Sequence, residues 1–333
     1  MIVKKRRIFK AYVMLDFQKA PYIELEHYKA PKGLESYFIP MEDGKKIRLM
    51  CWSPNLPKDQ IKGTFLLQQG HNEFIEKYYE TIQEILDRGF YVVCYDWRGQ
   101  GMSDRMIKNI NKQFIRDFSI HISDLSFILN EIINKNFPKP LFGFGHSMGG
   151  YILLIAQKKF QKYFKGLILS APMLGFKIEY LLFPVVTLTN FFSSEERYFI
   201  GSKPSMGKET PFKDNDLTSD QRRYQRTQEL VRKNPKLRLW GVTNAWVKAV
   251  KDSYNITRKK SWLGEIKTKI IIFNPIEDKV VDSQKTKKIN KLLPNSQIIN
   301  LKNIKHEILM EKNEHRANFW ESVDNFLDNL SLN

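Results

Sequence analysis

The sequence predicts an α/β fold, a mostly parallel sheet covered by helices on both faces. Two observations carry this. Short apolar runs such as "GTFLLQQG", "FYVVCYDW", "GLILSAP" and "KIIIFNP" read as buried strands. Amphipathic segments of helical spacing separate them, which is the pattern of crossover helices burying parallel strands from both sides.

Residues 1–34 read as a basic N-terminal extension, densest at Lys4, Lys5, Arg6, Arg7 and Lys10. Lys10 and Asp16 break its apolar run and no small-residue cleavage site follows, so it is a poor signal peptide. Residues 35–172 form the first part of the core. "ESYFIPME" and "KKIRLMCWSP" flank Asp43-Gly44, a hairpin signal. Gly63 to Gly70 is a strand. Glu76 to Arg88 is a helix, with Tyr79, Ile82, Ile85 and Leu86 on one face and Gly89 as its stop. Phe90 to Trp97 is the next strand, and Asn111 to Asn134 is expected to be helical throughout. "PLFGFGHS" is a strand running into glycines, followed by a helix from Met148 to about Lys159 and the strand Gly166 to Pro172.

The alternation then lapses. Residues 173–247 hold no buried-type strand and are expected to form a helical cap inserted into the core. Residues 248–333 complete the core with the strand Lys269 to Pro275, a helix near Asp282 to Leu292, the strand "SQIINLKN" and a helix from about Glu314 to Leu330. The expected sheet has about eight strands.

The chain has 333 residues, enough for a full core, and 54 Lys and Arg against 36 Asp and Glu give a net charge of +18. No zinc-finger spacing, RNA-recognition motif or long basic block is present, so a nucleic-acid partner is not expected. Attraction to an anionic membrane surface stays open beside a general compositional bias towards Lys. Cys51 and Cys94 sit in apolar runs and read as buried reduced thiols, so nothing demands an oxidising compartment. The most apolar stretch, Tyr180 to Phe192, is 13 residues long with a central Pro184, too short to span a bilayer. The expected location is cytoplasmic, or peripheral at the inner face of the cell membrane.

Gly145-His146-Ser147-Met148-Gly149 fits G-x-S-x-G between a strand and a helix. Such a turn needs small residues two before and two after, and it exposes the serine at a helix N-terminus, where free N–H groups favour negative charge. A serine hydroxyl needs a base. Of six histidines, His306 follows the last strand at the same sheet edge as Ser147 and is the candidate. The acid should follow the strand before it. There Asp278 is the candidate, with Glu277 pointing elsewhere and Asp282 capping the next helix. Oxyanion donors are expected from the backbone N–H of Met148 and from that of His71, with Asn72 second.

"GHSMGG", "DWRGQGMSDR", "QGHNEFIEKYYE", "PFKDNDLTSDQRRYQR", "LWGVTNAWVKA" and "KHEILMEKN", spread from Ile39 to Leu327, resemble the α/β-hydrolases of the monoacylglycerol lipase branch. The nearer resemblance is to the bacterial L-two lysophospholipases. It implies hydrolysis of a carboxylic ester on a lipid glycerol through an acyl-serine, without metal or organic cofactor. Ser147 would be nucleophile, Asp278 acid and His306 base, with Met148 and His71 giving the oxyanion N–H groups. Gln69-Gly70 stands where many relatives have His-Gly, and Pro275 where many have glycine. The branch also contains peptidases and general esterases, so small non-lipid substrates remain an alternative, as does a non-catalytic binding module. Within residues 173–247, "FKIEYLLFPVVTLTNFF" reads either as an acyl-chain wall or membrane-facing lid, or as a helix buried against the sheet. Arg222, Arg223, Arg226, Arg232, Lys233, Lys236 and Arg238 read as a headgroup-attracting patch or a solvated helix face, and Arg98 and Asp104 as turn-stabilising.

Overall fold

The computed structural model describes residues 17–331, apart from Gly201 and Lys203. The basic cluster Lys4–Lys10 lies outside the described residues.

Eleven strands and ten helices follow one another among the described residues. The chain opens with β1 (Gln18–Lys19), β2 (Leu34–Pro40), β3 (Lys46–Trp52) and β4 (Gly63–Gln68), then α1 (Tyr79–Asp87) and β5 (Phe90–Tyr95). β6 (Lys112–Gln113), α2 (Ser119–Phe127), a π-turn at Ile128–Ile133, α3 (Asn134–Asn136), β7 (Leu141–His146), α4 (Met148–Phe160) and β8 (Phe164–Ser170) come next. Then follow α5 (Glu179–Phe192), α6 (Gln221–Lys233), β9 (Gly241–Val242), α7 (Asn244–Thr257) and α8 (Lys260–Leu263). β10 (Lys269–Pro275), α9 (Ser283–Asn290), β11 (Ser296–Leu301) and α10 (Asn313–Ser331) complete it.

The main sheet runs β1-β2-β3-β5-β4-β7-β8-β10-β11. β1, β2, β3 and β5 pair antiparallel in turn, and every pairing from β5 to β11 is parallel. The α/β class with its mostly parallel sheet is thus present, with eight strands of six or seven residues and the two-residue β1. The hairpin turns at Gly44, whose φ of 78° suits glycine.

Strand side chains alternate between two cores. Leu66, Val93, Tyr95, Leu167, Leu169, Ile270 and Ile272 face one, with α2, α4 and α9 over them. Phe65, Leu67, Val92, Cys94, Ile168, Ile271 and Phe273 face the other, with α1 and α10. On α10, Phe319, Val323, Phe326, Leu327 and Leu330 form the helical stripe that buries against the sheet, each worth about 1.5–3 kcal/mol of transfer free energy. Cys51 and Cys94 are buried free thiols. No helix among the described residues is long and apolar enough to cross a membrane.

Residues 111–118 depart from the expected helix. Lys112–Gln113 pair with Gly241–Val242, and α2 begins only at Ser119, whose N–H donates to Asp117 Oδ1 at 2.6 Å. Phe114 and Phe118 mimic a helical stripe, yet both are buried, Phe114 from the loop ahead of α2. Arg98 does more than hold its own turn. It is buried, pairs with Asp124 of α2 at 2.6 Å and with Asp43 of the hairpin, and so ties those two elements together. Asp104 likewise does more than close the loop 99–104: its carboxylate accepts from the Lys46 N–H and its N–H donates to the Lys46 carbonyl, which ties the loop to β3.

His121 on α2 is fully buried between the rings of Trp97 and Phe118, with neither ring nitrogen hydrogen-bonded. Burial, aided by the nearby Arg98 charge, pushes its pKa down to about 3. An unfolded histidine titrates near 6.5, so between those values the unfolded state holds the extra proton and stability falls as pH drops. Over pH 6.5 to 4.5, His121→Phe is therefore expected to lose up to about 1.4 kcal/mol less per pH unit than the wild type, in urea titrations at each pH. Parallel stability–pH curves for the two proteins would overturn this.

Candidate active site

Four parallel strands end at one edge of the sheet, and the site is built from the loops that leave them. Ser147 follows β7 and starts α4. Its backbone sits at φ 49°, ψ −114°, outside the ordinary regions for a non-glycine residue. Its N–H donates to Ser170 O at 2.9 Å, and its carbonyl accepts from Met173 N at 2.9 Å and Tyr151 N at 3.1 Å. These three bonds lock the strained turn. A Cβ on Gly145 would lie 2.6 Å from Gly150 Cα, and one on Gly149 would lie 2.4 Å from Gln68 O, so neither position tolerates a side chain.

Asp278 and His306 arrive from the ends of β10 and β11. His306 Nε2 lies 3.0 Å from Ser147 Oγ, and His306 Nδ1 lies 2.7 Å from Asp278 Oδ2. The other Asp278 oxygen accepts from the N–H groups of Val280 (2.7 Å) and Val281 (3.0 Å). Burial alone would raise the Asp278 carboxyl. The adjoining His306, through charge and hydrogen bond, and the two N–H groups hold it below its ordinary value instead. The carboxylate therefore stays ionised and fixes the imidazole with Nδ1–H towards it, leaving Nε2 to accept from the serine. Pro275 does not disturb this turn: it keeps register with Leu301, and its carbonyl accepts from the Asp278 N–H at 3.4 Å. Glu277 is exposed, and Asp282 caps α9 through the N–H groups of Gln284 and Lys285.

The loop after β4 brings His71 to the same cavity. The N–H groups of Met148 and His71 have no acceptor among the described residues, whereas that of Asn72 donates to Gln100 Oε1. Of the two loop N–H groups, that of His71 is thus the one without an acceptor among the described residues. The His71 ring packs 4.8 Å from Trp246, and burial pushes its pKa down to about 4. Gln69 anchors the loop: its Nε2 donates to Asp96, and its carbonyl accepts from Trp97 Nε1 at 2.8 Å.

A second cluster, not found from the sequence, braces these loops. Lys77 Nζ bridges Glu73 at 2.5 Å and Glu307 at 2.6 Å, all three buried. Glu73 also accepts from the Gly70 N–H and from the Tyr78 hydroxyl at 2.6 Å. Burial works against the Glu73 charge, and Lys77 more than offsets it, so the carboxyl sits well below its usual range. Glu307 adjoins His306, so one ammonium joins the loop of His71 to the loop of His306. The Glu73/Lys77 spacing of four was visible in "EFIEK"; the pairing with Glu307, 230 residues on, was not.

A cavity of about 480 Å³ opens over Ser147 and His306. Part of its wall comes from residues 205–240, among them Lys208, Asp214, Tyr224, Gln228, Arg238 and Trp240. Among the described residues, none of its lining comes from α5. That helix instead exposes Tyr180 (69%), Leu181 (55%) and Leu188 (62%), while Val186 is buried and Leu182 and Phe183 pack inwards. The basic stretch is not one solvated face. Arg223 is buried on Glu80 and Asp220, Arg226 also reaches Glu80, and Arg238 turns to the cavity.

A family model described as "Hydrolase_4: Serine aminopeptidase, S33" matches residues 59–313. A probable lysophospholipase L2 of Haemophilus influenzae is 27% identical over 82% of this chain and 86% of its own length. Lysophospholipase L2 of Escherichia coli K12 is 25% identical over 78% of each chain. Rat monoglyceride lipase is 27% identical over 47% of this chain and 46% of its own. Among solved structures, a soluble variant of Saccharomyces cerevisiae monoglyceride lipase superposes with a TM-score of 0.69 at 18% identity, covering 93% of this chain and 100% of that one. A Bacillus coagulans carboxyl esterase gives 0.71 at 17%, covering 90% and 99%. These two establish the fold, that of the α/β-hydrolases.

Removing the Lys77 ammonium would leave Glu73 and Glu307 buried without a cation. Lys77→Met is expected to destabilise the protein by about 3–5 kcal/mol, read as a lowered urea midpoint at pH 7. A loss below about 1 kcal/mol would show that the two carboxylates accommodate each other without it.

Proposed function

We propose, for a chain that belongs to the Hydrolase_4 (serine aminopeptidase, S33) family and has the α/β-hydrolase fold, that it hydrolyses the carboxylic ester of a lysophospholipid or monoacylglycerol. The observation that carries the chemistry is the line Ser147 Oγ–His306 Nε2–His306 Nδ1–Asp278 Oδ2, at 3.0 and 2.7 Å. The choice of a lipid ester rests on the relatives, named as lysophospholipases and monoglyceride lipases.

In this reading Ser147 Oγ attacks the ester carbonyl while His306 Nε2 takes its proton. Negative charge develops on the carbonyl oxygen, which the open N–H groups of Met148 and His71 receive; a donor of this kind is typically worth about 100- to 1,000-fold in rate. Asp278 stabilises the imidazolium that forms. The tetrahedral adduct collapses, His306 returns the proton to the departing glycerol oxygen, and the acyl group stays on Ser147. Water then repeats the sequence, giving its proton to His306, and the fatty acid leaves with Ser147 restored. Residues 173–247 serve as a cap over this site. Supporting that role are the cavity-lining side chains from Ser205 to Trp240. The described part of the expected N-terminal extension, residues 17–34, does not stand apart: Gln18–Lys19 pair with β2, and Ile23, Leu25 and Tyr28 pack into the core.

Ser147→Ala and His306→Ala are each expected to reduce turnover of a p-nitrophenyl ester by about 10,000-fold or more, with the thermal melt unchanged. A fluorophosphonate probe should label the wild type and not Ser147→Ala. Turnover in either variant within about tenfold of wild type would refute the site. A monoacylglycerol of long acyl chain should be preferred to its short-chain counterpart; the reverse preference would point to a small-ester hydrolase.

A further inference from the structure

Arg238 is a half-buried cation in the cavity wall with no carboxylate partner among the described residues. It follows the 3-10 turn Pro235–Leu237 and lies beside Leu239 and Trp240, which line the same wall. Its recorded hydrogen bond is from one terminal nitrogen to Gln228 Oε1 at 2.5 Å, and no ion pair involves it among the described residues. The neighbouring arginines differ: Arg223 holds Glu80 and Asp220, and Arg226 holds Glu80. Burial lowers the Arg238 pKa, opposed by the more distant Tyr224, Glu209 and Glu307. An arginine remains charged under such conditions, so desolvation here costs free energy without a bound counter-ion to offset it. A guanidinium with most of its five donors unused, facing the space above a serine hydroxyl, suits a planar bidentate grip on a phosphate.

The other charges of the wall narrow the ligand. Lys77 is committed to Glu73 and Glu307, and Asp216 to Lys279. Lys208, exposed at the rim, and Asp214 have no ion pair among the described residues. With Glu73, Glu307 and Asp216 already paired, Arg238 and Lys208 stand against one unpaired carboxylate, Asp214, a balance that suits a phosphodiester carrying a positive group beyond the phosphate.

We propose that Arg238 binds the phosphodiester of a zwitterionic lysophospholipid headgroup and so sets the preference for that substrate over monoacylglycerol. This rests on the lipid-ester reading of the site. Arg238 acts on binding, not on the reacting atoms.

The test compares kcat/KM for lysophosphatidylethanolamine and for a monoacylglycerol with the same acyl chain. Arg238→Gln is expected to lower the ratio of the first to the second by about 10- to 100-fold, chiefly through KM, and Arg238→Lys to restore part of it. A ratio within about twofold of wild type in Arg238→Gln would overturn the proposal. A second measurement does not depend on turnover: calorimetric titration of Ser147→Ala with glycerophosphoethanolamine. Binding that weakens at least about tenfold on adding Arg238→Gln supports the assignment. Undetectable binding to Ser147→Ala itself, or equal binding with and without Arg238, overturns it. Failure of the lipid-ester reading would show separately, as a wild type that turns over neither lipid.

Discussion

The turn at Ser147 is the constraint on which the rest of the site depends. A non-glycine residue at φ 49° and ψ −114° costs of order 1–3 kcal/mol and persists only when its surroundings over-determine it. Here they do. The Ser147 N–H is held by β8, its carbonyl by the N–H groups of Tyr151 and Met173, and its flanking glycines let backbone pack on backbone. Because Gly149 abuts the carbonyls of Gln68 and Gln69, this one turn also fixes the end of β4 and hence the start of the His71 loop. The strain at the serine and the placement of a donor loop beside it are two results of the same close contact.

Buried charge then sets the outer frame. Arg48 is fully buried with Glu76 and Asp96, the latter a partner of Gln69; Lys77 is buried with Glu73 and Glu307. Ionic clusters of this sort add little net stability over apolar packing of equal volume, since desolvation consumes most of the attraction. Their effect is on uniqueness of arrangement. An ammonium shared by two carboxylates from distant loops has one low-energy geometry, and any slip of either loop leaves a buried charge bare. The His306 loop is thereby tied to the His71 loop at a point adjoining His306.

Legibility in the sequence followed the range of the interactions. Strand runs, the Gly89 stop and the Asp282 cap are local signals, and they located the sheet and most helices. The positions of Ser147, Asp278 and His306 were legible because each follows an apolar run, and parallel strands place such positions at one edge. Residues 111–118 misled because Phe114 and Phe118 carry helical spacing while the backbone there pairs at Lys112 and Gln113 with residues 241–242. The roles of Glu307 and Glu80 were beyond reach for a related reason, and Arg238, though read as part of a basic patch, could not be singled out within it. Arg223 and Arg238 are 15 residues apart and chemically alike, yet one is neutralised by α1 and the other is not, a difference created only by tertiary contacts.

That difference changes what the net charge of +18 can mean. Charge counted along the sequence assigned seven cations of one segment to a common surface. Packed, the segment divides: Arg223 is sealed in the interior, Arg226 is tied to α1, Arg232 pairs with Glu209 in solvent, and Arg238 stands in the cavity wall. The apolar stretch divides in the opposite sense, since α5 leaves Tyr180, Leu181 and Leu188 exposed while the cavity gains polar side chains. The segment is therefore mixed: α5 turns apolar side chains outwards and Arg223 and Arg238 turn inwards, while Arg222, Arg232, Lys233 and Lys236 stay in solvent. Apolar groups facing outwards lower the cost of contact with an apolar phase, and a polar cavity lowers the cost of receiving a polar group. The two terms act at different places, the first on the outer face of α5 and the second inside the cavity, so each can be altered without the other.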